Sequence, residues 1–134
     1  MQPARTWIVV ADSARARFFL SVRRGGGWRL LESLDHPESR ARAPELVTER
    51  PPMERGELPK EREAKVFARQ LAARLERAFH DGSYQRLVLV APPELMGLLR
   101  RSLPPVASGA VVAEITKDFS QLRSKELEQR LAPW

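Results

Sequence analysis

The sequence predicts an α/β protein, a three-layer α/β/α arrangement built on a mixed five-stranded sheet. Continuous apolar runs at Trp7–Val10, in LVLVA over residues 87–91 and at Val111–Ile115 have the character of strands covered on both faces. Ala64, Phe67, Ala68, Leu71, Leu75, Ala78 and Phe79 recur at spacings of three and four, the period of a helix that buries one stripe. Three strands precede that helix and a strand-helix-strand-helix alternation follows it, which is the order of a sheet that takes helices on both faces.

Taken in order, Trp7–Val10 is the first strand, Ala16–Val22 the second and Trp28–Leu34 the third. RRGGGWR, residues 23–29, puts three glycines where a tight hairpin needs positive φ. It lacks the repeats of an RGG-like RNA contact and the following helix of a phosphate loop, so it reads as a turn. Residues 36–59, HPESRARAPELVTERPPMERGELP, hold five prolines, one glycine and alternating charges without an apolar period, and are expected to form a long irregular excursion. Pro59 then suits the first helical position, with Glu57, Glu61 and Glu63 near the positive end of the helix dipole, and the helix is expected to run to about Asp81-Gly82. Arg86–Ala91 is the fourth strand. Pro92-Pro93 ends it and opens a short helix through Leu98–Arg101, Val111–Ile115 is the fifth strand, and Ser120–Leu131 is a last helix with Leu122, Leu127 and Leu131 inward. Right-handed crossovers then give the spatial order 3-2-1-4-5 with strand 2 antiparallel, the arrangement of ribonuclease H-like folds. The first, fourth and fifth strands are expected side by side as covered central strands.

The chain has 134 residues and 43% hydrophobic content, which suits a single domain over 1–134. No apolar run approaches the roughly 20 residues of a membrane span, and MQPARTW leads into no signal-peptide apolar region, so membrane insertion is not expected and a cytoplasmic location is. With no cysteine, disulfides, thiolate catalysis and cysteine-held metals are excluded; His36 and His80 alone make a histidine metal site unexpected, and no cofactor is implied. Net charge is +6, and 19 of the 23 basic residues are arginine, which favours an anionic partner. The excess is spread along the chain, however, so it also fits an arginine-rich solvated surface.

Five segments, WIVVADSARARFF, HPESR, FARQLAARLERA, LVLVAPPELMGLLR and EITKDFSQL, resemble in that order the bacterial family of host attachment proteins. That family is itself distantly similar to the middle domain of the archaeal and eukaryotic class I release factor and of Pelota. The resemblance implies a release-factor-middle-domain-like fold and a possible partner in the ribosome or structured RNA. In the release factor the excursion before the long helix carries Gly-Gly-Gln; here residues 36–66 contain no glutamine and only Gly56, so peptide release does not carry over.

No motif identifies a reaction, and no catalytic residue is assigned. Arg15 and Arg17, two apart on one strand face, could receive phosphates or could lie over the long helix and pair with its glutamates, the arrangement expected here. Arg40, Arg42, Arg50 and Arg55 are candidate RNA or partner contacts in the excursion, set among Glu38, Glu45, Glu49 and Glu54. Asp12, Glu94 and Asp118 follow strands that share one sheet edge. Asp12 and Asp118 are thus candidate magnesium ligands of an alternative nuclease or phosphoesterase, although each also suits a local turn or cap. His36 with Glu38, Ser39 and Arg40 reads as a turn rather than a catalytic group. A homo-oligomer or protein-interaction module would use Leu46, Val47 and Met53 or the segment 131–134.

Overall fold

The computed structural model describes residues 4–22, 27–35, 59–132 and 134. Its strands are β1 Thr6–Ala11, β2 Arg15–Ser21, β3 Arg29–Asp35, β4 Arg86–Val90 and β5 Val111–Ile115, in the order β3-β2-β1-β4-β5. β2 runs antiparallel to both its neighbours, β1 and β3; β1, β3, β4 and β5 share one direction. The helices are α1 Pro59–His80, α2 Pro93–Ser102, the single turn α3 Pro105–Ser108 and α4 Ser124–Arg130.

Alternation along the central strands divides the core in two. Trp7, Val9, Leu87 and Leu89 point to one face, with Phe18, and pack under Phe67, Leu71 and Leu75 of α1 and Leu95, Met96 and Leu99 of α2. Ile8, Val10, Val88 and Val90 point to the other face, with Phe19, and are covered by Leu127 of α4 and Leu131. β1 and β4 read as unbroken apolar runs because they are buried from both sides. One helical layer is thick, and the other is a helix of seven residues.

The long helix starts and stops where the residues require. Pro59 occupies its first position, where a missing N–H costs nothing. At the other end Gly82 takes φ 74°, Ser83 N donates to Ala78 O at 2.9 Å and Gly82 N to Phe79 O at 3.0 Å, a Schellman closure. The buried Tyr84 then folds back, its hydroxyl donating to Leu75 O at 2.7 Å.

Three expectations need correction. β5 is not a covered central strand but the margin of the sheet, alternately half-buried and exposed, and Val112 is 44% exposed. The register slips there as well: Leu87 pairs with Val111 but Val88 with Ala113, leaving Val112 as a bulge. The last helix begins at Ser124 rather than Ser120: Leu122 N donates to Phe119 O at 3.1 Å to close a turn, and the Ser120 and Leu122 carbonyls accept from Arg17. The single turn α3 has no counterpart in the sequence pattern; Pro105 opens it and it buries only Ala107, too short for a periodic signal.

Candidate functional site

The strand ends after β1 and β5 and the start of β2 form one rim of the sheet, the edge at which parallel α/β sheets meet ligands. Asp12 closes the β1–β2 turn. Its Oδ1 accepts from Ala14 N at 2.8 Å and Arg15 N at 2.9 Å, while Asp12 N donates to Arg15 O at 2.9 Å. Across the rim Asp118 Oδ1 accepts from Ser120 Oγ at 2.6 Å and Ser120 N at 3.2 Å. Both carboxylates thus serve local backbone structure. Glu94 lies exposed in the first turn of α2. Among the described residues no three His, Cys, Asp or Glu side chains form a group able to hold a metal ion.

Arg15 and Arg17 share a face, but it is the face opposite α1. Ala16 and Phe18 turn toward α1, which sends Arg17 to the side of Phe19 and α4, so the expected stacking on α1 and pairing with its glutamates does not occur. Instead the Arg17 guanidinium lies 5.7 Å from the Phe19 ring centroid, and its Nη2 donates to Ser120 O at 3.0 Å and Leu122 O at 2.8 Å. Burial holds the Arg17 pKa below the ordinary arginine value, the neighbouring Arg15 charge lowers it further, and Asp12 acts in the opposite direction. Arg15 Nε is itself buried and has no hydrogen-bond partner among the described residues. Among the described residues neither arginine forms a carboxylate salt bridge.

Of the candidate segment at 131–134, Leu131 and Trp134 pack on the α4 face of the sheet: Trp134 O accepts from Ser21 Oγ at 2.7 Å and its ring lies 5.6 Å from the Arg86 guanidinium. Arg40, Arg42, Arg50, Arg55, His36, Leu46, Val47 and Met53 lie outside the described residues. Sequence reasoning missed Ser120 and Leu122, because they meet Arg17 through main-chain carbonyls over separations of 103 and 105 residues. Side-chain type carries no signal for such a contact.

The reversed β2, the parallel β1, β4 and β5 and the two unequal helical layers define an open α/β module with a mixed five-stranded sheet. The chain is similar to the archaeal translation termination factor aRF1, with TM-score 0.55 and 10% identity over 96% of this chain and 35% of that one. It is also similar to a structure described as an archaeal protein, with TM-score 0.50 and 11% identity over 94% of this chain and 35% of that one. The likeness is one of fold, and the chain spans about a third of the length of either structure. By sequence the chain belongs to the family described as protein required for attachment to host cells, which matches residues 7–131. Nothing among curated proteins matches it. No described helix is long and apolar enough to cross a membrane.

Proposed function

We propose that this family member is a non-catalytic cytoplasmic module that associates with structured RNA, such as that of the ribosome, through arginines at the carboxyl edge of its sheet. The observation that supports this most is the way Arg17 is held. Two carbonyls fix its orientation, but carbonyl dipoles do not cancel a full charge, and Arg15 adds a second one beside it. A guanidinium fork of fixed direction suits a phosphate, whose oxygens it can bond in pairs. The net charge of +6 favours the same partner, as does a fold likeness to a protein named for translation termination. Peptide release is not proposed, since Gly-Gly-Gln is absent from the sequence.

The test is binding to purified ribosomes and to a structured RNA across a salt series. Affinity should fall steeply with salt, and Arg15→Gln should flatten the dependence by about 0.7 to 0.9 in log–log slope for each phosphate the variant no longer neutralises. Absence of binding at low salt would overturn the proposal.

A further inference from the structure

β5 ends at Ile115 and α4 begins at Ser124, so residues 116–123 cross from one to the other with no ladder or helix to set the direction of their carbonyls. Local bonds set it instead. Lys117 N donates to Ile115 O at 3.0 Å and Leu122 N to Phe119 O at 3.1 Å, and between these closures Asp118 Oδ1 accepts from both the hydroxyl and the amide of Ser120. The hydroxyl bond is the shorter, 2.6 Å against 3.2 Å, as befits an O–H donating to a carboxylate. Ser120 is only 5% exposed, so its hydroxyl needs an acceptor within the protein, and Asp118 supplies it from the exposed side.

This crossing ends on Arg17. The carbonyl of Ser120, the residue that Asp118 holds, accepts from Arg17 Nη2 at 3.0 Å, and the carbonyl of Leu122 accepts from the same nitrogen at 2.8 Å. A peptide carbonyl points where its backbone is turned, and a carboxylate that binds both the amide and the hydroxyl of Ser120 fixes that turn. Arg17 is thus aimed by a loop that Asp118 closes. The link is not a charge pairing, since the carboxylate whose charge raises the Arg17 pKa is that of Asp12.

We propose that Asp118 is a positioning residue of this edge: through Ser120 it holds the direction in which Arg17 meets a phosphate, and so strengthens polyanion binding although its own charge opposes it. The inference rests on the reading of the edge as an RNA contact. It predicts an inversion of sign. Where a carboxylate acts by charge alone, removing it from a polyanion-binding edge raises affinity whatever takes its place. Where it positions, the replacement decides, because asparagine keeps an oxygen that can accept from Ser120 and alanine keeps none.

The experiment compares Asp118→Asn, Asp118→Ala and Ser120→Ala in the full chain, at a temperature where circular dichroism shows all of them folded. Binding to a structured RNA is measured over a salt series, and the Arg17 guanidinium is followed by NMR without RNA. Asp118→Asn should bind at least as well as the parent. Asp118→Ala, with the same net charge, should bind about three- to tenfold more weakly than Asp118→Asn. Ser120→Ala changes no charge; it should weaken binding while keeping the parent's salt slope, because every cation remains. Rotation about the Arg17 Cζ–Nη2 bond should be slow in the parent and in Asp118→Asn and should quicken in Asp118→Ala. Equal affinity of the asparagine and alanine variants, or unchanged Arg17 rotation in Asp118→Ala, would overturn the positioning role. Failure of the parent to bind RNA would overturn the RNA reading instead, and the guanidinium signals then decide by themselves whether Asp118 aims Arg17.

Discussion

Arg74, midway along α1, bonds Glu32 on the outermost strand β3, its Nε lying 3.1 Å from Oε2 and 3.2 Å from Oε1. The same guanidinium sits 5.5 Å from the ring centroid of Trp7, so one side chain ties the long helix to both the central strand and the margin. The hydrogen bond to Glu32 raises the Arg74 pKa, opposed by burial. Because both partners are about a third exposed, solvent screens much of the attraction. Glu32→Ala should therefore cost about 1 kcal/mol in urea unfolding, with Glu32→Gln between it and the parent. An unchanged denaturation midpoint would show the pair to be energetically neutral.

Tyr84 is the sole tyrosine of the chain, and burial pushes its pKa up to about 12. In the unfolded chain it would ionise near 10. Between those values the unfolded state binds fewer protons than the folded one, so stability falls as pH rises. This contribution is intact below pH 10 and is lost progressively up to about 12, amounting to about 2 to 3 kcal/mol. Tyrosinate absorbance should rise only near or beyond unfolding. Tyr84→Phe should cost about 1 kcal/mol at neutral pH because the bond to Leu75 O is gone, and should remove this part of the alkaline slope. Free titration near pH 10 in the folded protein would contradict the burial.

How much of this was legible in the sequence depended on whether a residue's role is set by its neighbours in sequence or by distant partners. β1, β4 and α1 could be read because burial on two faces writes a continuous run and burial on one stripe writes a period of three to four. The order of the strands followed from connection rules. β2 could not be assigned to a side, since Phe18 and Phe19 are both buried and apolar on alternate phases. Hence the helical layer that Arg15 and Arg17 face could not be read from their spacing, and the layer expected for them is the wrong one. Hidden too were the irregularities at the two sheet margins. Each carries a bulge, at Leu31 where Phe18 pairs with Glu32 but Phe19 with Leu30, and at Val112. Bulging at both edges opposes strand addition by another chain, and it coexists with Leu30 at 50% exposure.

Arg17 is expected to support the α4 side as well as any anion. Arg17→Met leaves the carbonyls of Ser120 and Leu122 without their charged donor and should destabilise by about 1 to 3 kcal/mol. Arg17→Lys keeps the charge but cannot reproduce a planar fork, so it should recover only part of the deficit. Hydrogen exchange should quicken at residues 119–123 in both variants. Full recovery of stability by lysine would show that charge alone matters there.

The thinner of the two helical layers should also be the easier to open. Leu127 is fully buried among Ile8, Val10, Phe19, Val88 and Val90, yet it stands on a helix of seven residues, far too short to persist without packing. Glu128 adds one polar anchor, its Oε1 accepting from Trp28 N at 3.1 Å. Leu127→Ala should destabilise by about 2 to 5 kcal/mol if the layer unfolds only with the whole domain. If instead α4 detaches first, the effect appears as local opening: amides of 124–131 exchange faster while those of α1 keep their protection. The geometry favours the second outcome, because α1, α2 and their half of the core are separated from α4 by the sheet. Equal decline of protection in α1 and α4 would show that the two faces unfold as one unit.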